Sequence, residues 1–238
     1  MARRRGADHP SWEGILLAVN DRSFLGENRG FFLALEGMDG SGKTTQVDLL
    51  SKWFFSKNLK CTVAREPGGT KTGEAIRSVV QENLDLDIPP ETELLLYLAA
   101  RSVFVKEVAI PVLDRGEIFL TDRFSMSTLA YQGYARGLDL TEVGRLNDFA
   151  SAGLNADLYI VLDIPAELSR ERLALAKKKK DRLELSGVDF MQKVRSGYLD
   201  ISRKMENAIV VDGTENPETI HLKIREILIR EMPTTFGI

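Results

Sequence analysis

Gly37-Met38-Asp39-Gly40-Ser41-Gly42-Lys43-Thr44 decides the fold. It fits the phosphate-binding loop pattern G-x-x-x-x-G-K-[ST]. The apolar run Phe31-Phe32-Leu33-Ala34-Leu35 precedes it, and a helix-like segment from Thr45 to Lys57 follows. Strand, glycine loop and helix are the context that this pattern requires. Glycines let the backbone curl until successive N–H groups face one anion, and the helix N-terminus adds its positive end. In such a loop Lys43 reaches the β- and γ-phosphates of a nucleotide and Thr44 ligates Mg²⁺. The residues from Gly37 through Thr45 are therefore the expected ATP-binding set: Gly37, Met38, Asp39, Gly40, Ser41, Gly42, Lys43, Thr44 and Thr45.

Outward from the loop, apolar strand segments alternate with longer helical patterns. The strands are expected at Phe31–Glu36, Lys60–Arg65, Ile118–Asp122, Leu158–Asp163 and Ala208–Val211. Helices are expected at about 43–57, 72–83, 90–114, 125–133, 141–152, 166–176, 187–204 and 216–231. Continuous apolar strands separated by helices imply a five-stranded parallel sheet with right-handed crossovers and helices on both faces. Ligands in such α/β sheets sit beyond the carboxyl ends of the strands, where Gly37, Glu66, Asp122 and Asp163 fall. The segment Glu93–Leu113 is apolar on nearly every face, so it must be covered all round, by the core or by a second subunit.

Composition narrows the class. The chain has 238 residues, 43% of them hydrophobic and 28% charged, as in ordinary globular proteins. A net charge of −3 offers no basic field for nucleic acid. No stretch reaches the roughly 20 apolar residues of a membrane span. The single cysteine, Cys61, cannot close an internal disulfide, and His9 and His221 have no companions at zinc-ligand spacing. A cytoplasmic enzyme is the expectation. Residues 1–29 read as a loosely ordered extension, and residues 30–238 as one nucleotide-binding domain.

Further chemistry lies at the strand ends. Asp122 in Leu120-Thr121-Asp122-Arg123-Phe124 is placed like a Walker B carboxylate on Mg²⁺, or else caps the next helix. Arg123 beside it suits a phosphate, because its planar fork supplies charge and directed donors together. Arg65-Glu66-Pro67-Gly68-Gly69-Thr70 makes a tight turn beside the loop, a connector or a substrate wall. Tyr97 and Arg101 share a helix face; Arg101 is the lone charge from Leu94 to Val105 and needs an anion, either a substrate phosphate or an internal carboxylate. Gln132 carries a paired donor and acceptor fit to read a base edge. Lys177-Lys178-Lys179-Lys180-Asp181-Arg182 reads as a solvated face or as a mobile lid at about 175–186 that closes over ATP.

Together these segments resemble the thymidylate kinases, bacterial in type, from Phe31 to Gly213. The resemblance rests on the phosphate loop with Asp39 in it and on Arg65-Glu66-Pro67-Gly68-Gly69-Thr70. It also rests on Leu96-Tyr97-Leu98-Ala99-Ala100-Arg101, Asp122-Arg123-Phe124, Ala130-Tyr131-Gln132-Gly133 and Asp181-Arg182-Leu183-Glu184. It implies a three-layer P-loop kinase fold, ATP-dependent phosphorylation of dTMP to dTDP, Mg²⁺ held by Thr44 and Asp122, and a homodimer through 93–113. It assigns Lys43, Arg123, Arg182 and Asp39 to catalysis, with Arg182 reaching the transferring phosphoryl group and Asp39 near the sugar 3′-hydroxyl. It assigns dTMP to Asp39, Glu66, Arg77, Tyr97, Arg101, Arg123, Ser127, Thr128, Tyr131 and Gln132. Of these, Tyr97 stacks on the base, Gln132 pairs with its edge, Arg123 holds its phosphate and Tyr131 disfavours a ribose. The sequence departs from the pattern in carrying Tyr at 97 and lysines in the lid. Kinases of other nucleotides on the same scaffold, and nucleotide-binding switches, are the competing readings; no Asn-Lys-x-Asp guanine element supports a switch.

Overall fold

The computed structural model describes residues 29–176, 182–183 and 187–236. Most of the proposed lid, including the lysine run, lies outside these residues, as does the extension up to residue 28. Arg29, expected with the extension, is tied to the domain by an ion pair with Asp157.

Five parallel strands form one sheet in the order β2-β3-β1-β4-β5. They are β1 (Phe32–Gly37), β2 (Cys61–Arg65), β3 (Ile118–Asp122), β4 (Leu158–Asp163) and β5 (Ala208–Asp212). Each strand lies within one residue of its expected bounds. The buried strands β1, β3 and β4 take the centre, while the more exposed β2 and β5 take the edges. Alternation along β1 splits the core. Phe32 and Ala34 face a cluster with Phe104, Phe119, Phe124, Tyr159 and Val194, whereas Leu33 and Leu35 face Leu50, Phe54, Leu120, Ile160 and Ile224.

The helices are α1 (Lys43–Ser56), α2 (Lys71–Arg77), α3 (Pro90–Phe104), α4 (Ile110–Asp114), α5 (Ser125–Thr128), α6 (Leu140–Ser151), α7 (Ala166–Leu175), α8 (Val188–Lys204), α9 (Pro217–Glu231) and the short α10 (Pro233–Phe236). Buried Val47, Leu50, Trp53 and Phe54 give α1 its apolar stripe. Three helices expected to be regular contain π turns instead: Ser78–Glu82 after α2, Val105–Ala109 between α3 and α4, and Leu129–Ala135 after α5. Pro111 explains the second, since it cannot donate a helical hydrogen bond and the wider turn ahead of it gives slack. The third presents Tyr131 and Gln132 together on the same side of the fold. Helix α8 packs on it so closely that a Cβ on Gly197 would lie 2.8 Å from the Tyr134 ring.

The segment 93–113 is covered by the chain's own elements over most of its surface. Leu94, Leu98, Phe104, Val105, Val112 and Leu113 are buried, and Leu95 remains 57% exposed.

From β1 the chain crosses to β2 on one side, and from β3 it crosses over β1 to β4 on the other. The crevice at this switch point opens beyond Gly37, where the phosphate loop begins.

Candidate active site

The loop leaves β1 through Gly37, whose φ of +131° is open to glycine; a Cβ there would sit 2.4 Å from the Leu162 carbonyl oxygen. Lys43 is folded back onto the loop, its Nζ donating to the carbonyls of Gly37 at 3.0 Å and Met38 at 2.8 Å. Burial pushes the Lys43 ammonium pKa down and the Arg123 charge adds to that, while Asp122, Asp39 and Glu36 pull it back. Ser41 is fully buried, and its Oγ is without a partner among the described residues. The hydroxyl of Ser169 donates to the Asp39 carbonyl at 2.6 Å, and Arg172 donates to the carbonyls of Gly40 and Gly213 at 3.2 and 3.0 Å. Helix α7 thus braces the loop from outside.

Thr44 Oγ1 donates to Asp122 Oδ2 at 2.9 Å, on the exposed side of the loop. One hydroxyl and one carboxylate, side by side at a phosphate loop, are the donor set of a hard cation that keeps several waters. No group of three or more His, Cys, Asp or Glu side chains able to hold a metal occurs among the described residues. The fit is therefore to an ion shared with phosphates, not to a closed protein site.

Arg123 links the loop to the second half of the site. Its NH1 donates to the Gly37 carbonyl at 2.8 Å, to Ser127 at 3.2 Å and to the Tyr198 hydroxyl at 2.9 Å. Its NH2 donates to Asp39 at 2.6 Å and to the Tyr131 hydroxyl at 3.2 Å. The backbone here has φ +74°, a strained conformation for arginine. Glu36 holds that strain in place: its carboxylate accepts from the N–H of Phe124 at 2.8 Å, from the Ser127 hydroxyl at 2.6 Å and from the Tyr198 hydroxyl at 3.1 Å. Burial raises the Glu36 pKa against these bonds. For Asp39 burial also works against ionisation, but Arg123 and Lys43 outweigh it and bring the carboxyl down to about 2.

Beyond Arg123 lies an open pocket enclosing about 490 Å³, open solvent included, walled by Asp39, Glu66, Pro67, Gln81, Tyr97, Arg101, Arg123, Ser127, Thr128, Tyr131, Gln132 and Leu183. Nine of the ten residues expected to hold the acceptor line it. Arg77 does not; it donates to the Pro67 carbonyl at 3.0 Å and supports the 66–70 turn.

Two residues sit differently from expectation. Arg101 was read as meeting either a substrate phosphate or an internal carboxylate, with the resemblance assigning it to dTMP; its five N–H donors meet protein acceptors: Glu66 Oε2 at 2.8 and 2.6 Å, Thr128 Oγ1 at 2.6 Å, the Phe124 carbonyl at 3.0 Å and Asn147. An internal carboxylate, not a ligand, answers its charge. Arg182 was expected at the transferring phosphoryl group. It pairs instead with Glu93, and its Nε donates to the Val80 carbonyl at 3.1 Å.

Sequence reading gave no role to Glu36, Gln81, Glu93, Arg172 or Tyr198. Both Glu36 and Glu93 are fully buried carboxylates; Glu36 ends the apolar run Phe31–Leu35, which is a readable signal, whereas Glu93 follows Glu91 and Thr92 and gives none. Gln81 and Tyr198 carry no such mark; the π turn and the helix packing alone bring them in. Gln81 donates to the Tyr97 hydroxyl at 3.4 Å, and its own Oε1 is buried without a partner among the described residues.

Comparison with known proteins places this arrangement. The sequence profile of a family described as Thymidylate kinase matches residues 35–224. A thymidylate kinase of Desulforudis audaxviator is 47% identical over 214 residues, covering 87% of this chain and 96% of the relative. One of Thermosipho africanus is 44% identical over 201 residues, covering 84% and 98%. The crystal structure of thymidylate kinase from Ehrlichia chaffeensis superposes with a TM-score of 0.69 at 28% identity, covering 84% of this chain and 99% of that one.

Proposed function

The chain belongs to the thymidylate kinase family and phosphorylates dTMP to dTDP with ATP, and we propose that a donor loop and an acceptor pocket divide that work, joined through Arg123. The amides of 37–45 and Lys43 grip the ATP phosphates. Thr44 and Asp122 hold Mg²⁺, which neutralises charge on the donor oxygens when bound. Tyr97 and Gln132 hold the thymine, Ser127 and Thr128 shape the wall beside it, and Arg123 takes the dTMP phosphate. Asp39, kept ionised by Arg123 and Lys43 and bonded by the Tyr131 hydroxyl, accepts from the sugar hydroxyl, and Tyr131 closes the space beside C2′.

The reaction needs two polyanions brought together in line, so positioning and charge compensation carry the catalysis. The observation that carries this reading is the reach of Arg123, which donates to the loop at Gly37 and lines the acceptor cavity with the same guanidinium. Arg182 approaches the transferring phosphoryl group by exchanging its Glu93 contact for phosphate as the lid closes. Glu66 and Arg101 act as a buried pair that fixes the pocket wall, and Arg77 supports the turn behind it.

We further propose a cytoplasmic homodimer in contact through α3 and α6. These helices pack together and leave Leu95 and Phe149 largely exposed. No helix among the described residues is long and apolar enough to cross a membrane.

The test is an ATP-coupled assay with dTMP, dUMP, dCMP and thymidine as acceptors, run on the native enzyme and on Arg123→Ala. Preference for dTMP and loss of most of kcat in the variant are expected. Near-normal turnover by Arg123→Ala would overturn its role.

A further inference from the structure

Glu93 lies in the first turn of α3 with no exposed surface. Its carboxylate accepts from Gln132 Nε2 at 2.8 Å, from Arg136 at 2.9 and 3.2 Å, and from Arg182. The two arginines balance its charge. The bond to Gln132 does something else.

An amide side chain can sit in either of two orientations of nearly equal shape, nitrogen one way or oxygen one way. A carboxylate held by the Arg136 guanidinium, which stays when Arg182 leaves, can only accept. Glu93 therefore faces the nitrogen of Gln132, and the carbonyl oxygen turns away from it. Gln132 is itself a wall of the acceptor cavity.

We propose that Glu93 is a positioning residue for base selection: by fixing the amide of Gln132, it makes a carbonyl oxygen the group offered to the pyrimidine edge. This rests on the reading that Gln132 meets the base. Thymine and uracil carry a hydrogen on N3, which that oxygen accepts. Cytosine presents a lone pair at N3, so the same oxygen meets it as acceptor against acceptor. A Gln132 free to turn would offer its NH₂ to cytosine at little cost. Selection against an amino-pyrimidine is thus set one residue away from the base, on a different helix.

The experiment measures kcat/KM for dTMP and dCMP with ATP in four variants. Gln132→Ala is expected to lower the dTMP:dCMP ratio by about tenfold or more, because the polar reading of N3 is lost. Glu93→Gln keeps volume but lets the amide turn, and is expected to lower the ratio comparably through KM for dTMP, with KM for ATP unchanged. Arg136→Ala removes a charge partner without touching the amide and leaves the ratio unchanged. The exchange Glu93→Gln with Gln132→Glu reverses the hydrogen bond, keeps the charge and volume of the pair, and again offers only an acceptor to N3. It should therefore restore the preference, and it serves as the test if Glu93→Gln alone does not fold. A ratio lowered by Gln132→Ala but not by Glu93→Gln overturns the role of Glu93 and leaves the base reading standing. A ratio unchanged by Gln132→Ala overturns the base reading itself, and this role with it. Loss of preference in the exchange variant, or in Arg136→Ala, also overturns it.

Discussion

In the donor loop the groups we assign to the nucleotide are backbone amides and one lysine, all within the contiguous stretch Gly37–Thr45. The acceptor pocket is walled by side chains from six separate segments, and they orient one another through Glu36, Glu66, Glu93 and Arg123. A loop whose shape is set largely by glycine φ values leans on a few outside contacts, from Ser169, Arg172 and Arg123. A pocket whose shape is set by paired charges depends on every partner being present. Changes in the loop should therefore strike turnover with little loss of stability, while changes in the pocket should strike stability and substrate affinity together.

The largest expected effect tests the loop. Lys43→Ala removes the only side-chain charge in it that bonds the strand end, and kcat should fall by about a thousandfold, as for other preorganised charge contacts at a developing anion. Its melting temperature should stay close to native, because burial already disfavours the ammonium. A kcat within tenfold of native would break the comparison from the donor side.

Next comes the buried pair. Arg101→Ala leaves Glu66 uncompensated, and unfolding free energy should drop by about 3 kcal/mol in the absence of any nucleotide. Denaturant unfolding reads this directly. Full stability together with a raised KM for dTMP would return Arg101 to the role of ligand contact.

Tyr97→Ala should raise KM for dTMP by about tenfold, the scale of one lost stacking contact, and leave KM for ATP alone. Equal shifts in both constants would show that the two regions are not separable.

The smallest effect is a pH dependence. Asp39 has a folded pKa of about 2 against the ordinary 3.8. A depressed carboxylate contributes stability that is complete above the unfolded value and is lost as pH falls through the folded one. The native protein should therefore lose a part of its stability between about pH 4 and 2 that Asp39→Asn lacks. Thermal unfolding across that range compares the two, and parallel curves would remove Asp39 from the network.

Much of this site was legible in the sequence, for reasons that differ by residue. The phosphate loop was readable because glycine spacing, strand and helix are local. Asp122 and Arg123 were readable because a buried strand ends in them. Arg101 was correctly singled out as a charge needing an anion; which anion it meets was not readable, since Glu66 is 35 positions away. Arg182 stood out in the sequence at the lid edge, but its contact with Glu93, which spans 89 positions, was not readable. The π turns at 78–82, 105–109 and 129–135 escaped a reading based on a 3.6-residue period, because one added residue in a turn leaves that period nearly intact on either side.

By itself the sequence determined the five-strand parallel sheet, the phosphate loop and the family, because strand burial, helix periodicity and glycine geometry act over a few neighbouring residues. Tertiary structure alone decided which carboxylate pairs with which guanidinium, and so which way the amide of Gln132 turns. Those choices depend on close approach between residues far apart in the chain, and only the folded sheet order sets those distances.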